Sequence, residues 1–273
     1  MGCVAVPAVS AAGGAGPTPL SRLRGLKILL PFAALIAVWW ITKLALIPDD
    51  RMLVSPAQVG ATLLELAAHG VLAEYASTSL EMIGTAALLS TLIGVPLGFL
   101  IGSNRYAARA LEATLRFLQG VSGIAWLPLA IIWLGFTHST TLVVVIYTLV
   151  VPIVFNTMVG VRTIPAHYAL ALRSLGAGRL RIVKDVLLPG ALPAIVVGVR
   201  LGMGYGWRAL IAAEMLVRKG GLGDLIFGAR SFGQIDRIIA GMVVIGTLYV
   251  VVDRLIVQPV ENMTVARWGV LRR

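Results

Sequence analysis

The chain has 273 residues, 58% of them apolar and 13% charged, with a formal net charge of +11. Soluble domains carry about 25% charged residues, so a mean hydropathy of +0.92 excludes a water-facing globule of this length. The apolar stretches are long and do not alternate. They therefore predict an all-α membrane protein, since backbone in lipid must satisfy its own hydrogen bonds.

Residues 1–25 read as a flexible cytoplasmic tail, Ala-, Gly- and Pro-rich around the single cysteine, Cys3. One cysteine and three scattered histidines (His69, His138 and His167) leave no intrachain disulfide and no Cys/His metal spacing. A membrane-spanning domain is expected over 26–258, with a cytoplasmic tail over 259–273. Its first span runs from Ile28 to Ile47, where Lys43 can snorkel toward the headgroups. A short amphipathic helix follows: Ser55 can cap it, Pro56 suits its first position, and Val59, Leu63 and Leu66 share a face. Gly70 ends it.

A spanning helix needs about 20 mostly apolar residues. The second span covers Ser77 to Gly102, where Gly94, Pro96, Gly98 and Gly102 permit close helix contact or a kink. Phe117 to Val161 lacks any Lys, Arg, Asp or Glu and holds two spans, divided at Thr137-His138-Ser139-Thr140. Trp126-Leu127-Pro128 predicts a bend within the third, and Asn156 in the fourth is expected to hydrogen-bond between helices. Two further spans, Ala191 to Val217 and Ile238 to Val257, bring the expected number to six.

Lys and Arg are concentrated in the connections that lie inside if the amino terminus is cytoplasmic, which puts both termini in the cytoplasm. Spread over several loops, these cations suit a bilayer partner and do not suggest nucleic acid. The longest inner connection, 162–190, begins a short helix after Pro165 and breaks it at Gly176-Ala177-Gly178. A second helix then runs from Arg179 to Leu188 and is expected to stop at Pro189. In that loop Leu170-Ala171-Leu172-Arg173-Ser174-Leu175-Gly176 is followed, after nine residues, by Val186-Leu187-Leu188-Pro189.

This spacing resembles the E-A-A-x3-G-x9-I-x-L-P loop of permease subunits in binding-protein-dependent ABC importers (MetI-like fold). Leu170 and Leu172 stand where the motif has its Glu and second Ala. Elsewhere Gly94-Val95-Pro96-Leu97-Gly98, Ala125-Trp126-Leu127-Pro128, Ala213-Glu214-Met215-Leu216 and Gly221-Leu222-Gly223 are similar to the nitrate/sulfonate/taurine-type branch. The resemblance implies coupling to an ATPase through Ala171, Gly176, Val186, Leu188 and Pro189. It implies a cytoplasmic ATP-binding subunit that holds ATP and Mg, so that this chain has no cofactor of its own. It also implies an extracytoplasmic substrate-binding protein docked near Gly221-Leu222-Gly223, a second permease copy or sibling, and a bacterial inner membrane.

Arg200, Arg208 and Glu214 fall within the fifth span, where a charge costs about 2.5–3.5 kcal/mol at the bilayer centre and must face protein or water. Two readings stand: structural pairing with other spans, or a translocation path for an oxyanion such as nitrate, an alkyl sulfonate or bicarbonate. Trp207 fits either packing or the path. No Gly-Lys pair occurs, so the chain has no phosphate-cradling loop, and its 12 acidic residues are scattered. It is expected to be no enzyme. A secondary transporter or channel is the rival class; many of those carry inverted repeats, and none is found here.

Overall fold

The computed structural model describes residues 20–47, 49–50 and 52–267. They belong to two compact units that part after Ala57. In the first, α1 (Leu20–Ala45) carries exposed apolar side chains such as Leu30, Phe32 and Leu44. Trp39 Nε1 donates to the Val54 carbonyl at 3.2 Å. Lys43, expected to snorkel, is instead buried beside Asp50, with Nζ 2.6 Å from the carboxylate. The expected tail lies outside the described residues up to 19, and helix has begun by Leu20.

The second unit is entered along α2 (Pro56–Ala68), which buries Val59, Thr62 and Leu66. Gly70, at φ 73°, turns the chain into α3 (Val71–Ser103). Asn104 then caps α4 (Arg105–Gly120), its Oδ1 accepting from the N–H groups of Tyr106 and Ala107 at 2.9 and 3.3 Å. α4 is amphipathic, and Glu112 pairs both with Arg116 one turn on and with Arg162, 50 residues on, at 2.8 and 2.9 Å.

The expected third span is not a single helix. α4 ends at Gly120, a 3₁₀ turn occupies Gly123–Trp126, and α5 covers only Leu127–Leu134. The two arms meet at 83°. The bend comes ahead of Trp126, because Val121 is extended and Gly123 lies where a Cβ would collide with Thr148 Oγ1. Gly135, at φ 70°, closes α5, and Thr140 donates to its carbonyl as α6 (His138–Thr163) begins.

α7 (Ala166–Ser174) and α8 (Arg179–Ile182) lead into a π segment, Val183–Leu187, and then into α9 (Leu188–Val217). After α10 (Leu222–Ser231) come α11 (Ile235–Val252), a second π segment, Asp253–Val257, and α12 (Gln258–Arg267). Among the described residues four helices are long and apolar enough to cross a bilayer, five if the bent pair is one span. Where the first of the six expected spans was placed, the described residues hold a shorter apolar helix, Leu30–Ala45, and the third span is bent.

Pro189 was expected to end a helix, and it does not; Pro259 likewise lies inside continuous helix. Proline offers no N–H to the carbonyl four residues back, and its ring crowds that turn. In both places a π segment ends two residues earlier, and the wider turn accommodates the ring. Leu188 N–H bonds to the Val183 carbonyl, and Gln258 N–H to that of Asp253. Helix runs unbroken from Arg179 to Val217, and the last helix passes Pro259 to Arg267, within the stretch expected to be tail.

α6 is the centre of the unit. Half of its most apolar window is buried, against 28% for α3, 28% for α8–α9 and 17% for α11–α12. Two glycine stripes seat it. A Cβ on Gly94, Gly98 or Gly102 of α3 would lie 2.8–2.9 Å from Ile153 Cγ2, the Val154 carbonyl oxygen and the Met158 carbonyl oxygen. On the other side, a Cβ on Gly198 or Gly206 of α9 would lie 2.8–2.9 Å from Asn156 Cβ and Leu149 Cγ. Small residues four apart let backbones approach without a hydrophobic driving force, which lipid does not supply. Leu149, Ile153, Trp207 and Leu210 fill the space between. Large apolar side chains such as Leu88, Leu100, Ile132, Trp133 and Leu255 face outward, as a lipid-solvated protein requires.

Candidate functional site

The segment expected to couple to a motor forms an elbow. α7 ends in a Schellman motif: Gly176 N–H donates to the Arg173 carbonyl at 2.9 Å, and Ala177 N–H to that of Leu172 at 3.0 Å. Gly176 sits at φ 80° with nothing within 4 Å of a would-be Cβ, so glycine is required by backbone conformation and not by space. Ala171 is exposed on α7. Leu175 and Leu180, flanking the turn, are 83% and 87% exposed, a high figure for leucine at a helix junction. Val186 is half-buried in the π segment, Leu188 is exposed and Pro189 is half-buried. The helix after the turn runs into α9 with no break, so Leu180, Val186, Leu188 and Pro189 belong to the same helix as the intramembrane charges.

Those three charges do not converge. Glu214 is 3% exposed and accepts from Ser79 Oγ, at 2.8 and 3.0 Å to its two oxygens, and from Gly223 N–H at 2.9 Å. Ser79 Oγ in turn accepts from Leu222 N–H at 2.9 Å. A Cβ on Gly221, which has φ 92°, would run into the carboxylate. The carboxylate thus ties α3, α9 and α10 together. Gly221, Leu222 and Gly223 are buried around it. Nearby, Arg218 closes α9 at φ 52° and donates to Asp224 at 3.2 Å.

Arg200 bonds to Glu261 and lies 3.5 Å from Asp253. The π segment makes this possible: eight α-helical residues overshoot two turns by about 80°, and the wider turn brings Asp253 and Glu261 back onto one side.

Arg208 has a different surrounding. It lines a cavity of about 820 Å³ between the α4–α5 break, α6 and α9, together with Tyr205, Tyr147, Thr148, Asn156 and Ser122. Its guanidinium carbon is 5.9 Å from the Tyr205 ring centroid. No Asp or Glu lines this cavity, and Arg208 has no ion pair among the described residues. Asn156, expected to bridge helices, donates within α6 to the Pro152 carbonyl at 2.8 Å. Trp207 packs in the core, 5.9 Å from the Tyr249 ring.

Sequence reasoning missed Ser79 as the partner of Glu214 and Tyr147 as a cavity wall. Among the described residues no group of three or more His, Cys, Asp and Glu is arranged to hold a metal ion.

The sequence pattern of the family described as "Binding-protein-dependent transport system inner membrane component" matches residues 94–258. The chain is 32% identical over 235 residues to the taurine transport system permease protein TauC of Escherichia coli, covering 84% of this chain and 85% of that one. It is 29% identical over 249 residues to the nitrate import permease protein NrtB of Synechocystis, covering 87% and 90%. Its fold is similar to that of a chain in the MetNI methionine ABC transporter, solved in inward-facing conformations. That match has a TM-score of 0.50 at 21% identity and covers 67% of this chain and 92% of that one.

Proposed function

This chain belongs to the inner membrane component family of binding-protein-dependent transport systems, and from that premise we propose that it carries a small oxyanion inward under ATP-driven control. It is the permease subunit of an ABC importer. The observation that carries the motor-driven reading is the elbow. α7 and the Gly176 turn lead into a helix that continues from Arg179 to Val217, so a force applied at the turn reaches the intramembrane residues through one element.

In this reading a cytoplasmic ATP-binding subunit holds ATP and Mg and takes the elbow, with its exposed Leu175 and Leu180, in a surface groove. Gly176 sets the angle, and Ala171, Val186, Leu188 and Pro189 shape the part that is gripped. A substrate-binding protein delivers solute at the opposite membrane face, a second permease copy or sibling completes the path, and both termini lie in the cytoplasm of a cell with this chain in its inner membrane. Nitrate, alkyl sulfonates including taurine, and bicarbonate form the cargo class; the relatives support the first two, and Arg208, without an ion pair among the described residues, suits each of them. Alternating exposure of the path follows from rigid-body movement of the helices.

The test is reconstitution of the chain with its co-purifying ATPase and binding protein in liposomes. Uptake of a radiolabelled oxyanion that requires internal ATP, and that Gly176→Val reduces while ATPase activity persists, is the expected result. Uptake independent of ATP would support a secondary transporter or channel instead.

A further inference from the structure

The cavity beside Arg208 has a chemistry narrower than the cargo class. Among the described residues its one charged lining residue is a cation, with no carboxylate to neutralise it. In a membrane such a charge must face water or a counter-ion. The 820 Å³ of space admits an anion together with part of its water shell, since each water takes about 30 Å³. The polar groups beside Arg208 are partly committed. Tyr147 Oη donates to the Leu118 carbonyl at 2.9 Å, and Thr148 Oγ1 to that of Val144 at 2.8 Å. Ser122 makes no side-chain capping bond, and Asn156 keeps a second N–H, so both remain available to an oxyanion.

We propose that this cavity is a binding site for a hydrated small oxyanion without a cationic end, held by Arg208, and that it rejects zwitterions. The proposal rests on the importer reading and narrows its substrate class. A sulfonate or nitrate oxygen pair accepts two N–H groups of the guanidinium in one plane. An ammonium two carbons away, as in taurine, meets no carboxylate in the lining and lies within the field of Arg208. One ring of the lining, Tyr205, already lies against that guanidinium.

Ethanesulfonate and taurine differ only in that ammonium and make a matched pair. The full chain in nanodiscs of zwitterionic lipid, probed by saturation-transfer NMR, should transfer magnetisation to the methyl group of ethanesulfonate. Nitrate should displace it, and taurine should need about tenfold more to do so. Arg208→Gln should remove the signal, Arg208→Lys should retain part of it, and Arg230→Gln, at the exposed end of α10, should leave it unchanged. Equal displacement by taurine and nitrate, or transfer that survives Arg208→Gln in protein of normal size-exclusion profile, would overturn the proposal. ATP-driven uptake without this binding would sink the site and spare the importer reading, whereas binding without ATP dependence would do the reverse.

Discussion

Replacing Gly98 with alanine tests whether α3 and α6 are held by backbone proximity. The added Cβ would stand 2.5 Å from Thr157 Cβ, 2.8 Å from the Val154 carbonyl oxygen and 2.9 Å from Thr157 Cγ2. Carbon contacts settle at about 3.5–4.0 Å, so the helices must separate by roughly 1 Å at this level. The carbonyl cannot rotate away without breaking its own helix, and Thr157 is fully buried. Overpacking of this kind costs about 1–3 kcal/mol. Against it stands the gain from replacing glycine in a helix, about 1 kcal/mol. Gly84, on the same helix, meets nothing within 4 Å and isolates that gain. Thermal or SDS-induced unfolding of the purified chain should therefore rank Gly84→Ala at or above the unmodified chain and Gly98→Ala about 2 kcal/mol below Gly84→Ala. If the two variants proved equally stable, the close approach would not be holding these helices.

Three further outcomes follow from geometry. Gly176→Val should lower uptake while leaving unfolding within about 1–2 kcal/mol of the unmodified chain, because only the positive φ is opposed; Gly176→Asn, which tolerates that region, should transport better than the valine variant. Glu214→Ala should destabilise by about 1–3 kcal/mol for each donor left unpaired, namely Ser79 Oγ–H and Gly223 N–H. Glu214→Gln keeps an acceptor and should lose less, and equal losses in the same unfolding assay would show that these bonds do not matter. Arg200 and Glu261 are 40% and 25% exposed in their side chains, so a double-mutant cycle in unfolding should return only about 0.5–1 kcal/mol of coupling, reduced by molar salt.

The apolar runs made helices legible, and local chemistry made the Gly176 turn legible, because the signals for both lie within a few residues. Spacing four residues apart marked Gly94, Gly98 and Gly102 as a contact stripe. The matching stripe at Gly198, Gly202 and Gly206 carries the same spacing and was there to be read. Proline misled at 189. The rule that it ends a helix assumes the 3.6-residue turn on either side, and a π segment relaxes that assumption without a distinctive residue pattern. The break between α4 and α5 was legible as a bend near Trp126-Leu127-Pro128, but its place was not, since it is set by Gly123 meeting Thr148 on another helix. Ser79 and Glu214 are 135 residues apart in sequence. Neither residue announces the other, and only the seating of α3 beside α9 brings them together.

The unbroken passage through Pro189 fixes a mechanical ratio. If the helix from Arg179 to Val217 pivots where Gly202 rests on Leu149, the arm on the elbow side is about 35 Å long and the arm beyond the pivot about 23 Å. A displacement at Arg179 then arrives at Val217 reversed in direction and geared down by about 1.5-fold. A kinked helix would dissipate such a stroke at its bend. This one trades travel for force, which suits loosening the buried contacts that Glu214 makes with Ser79 and Gly223.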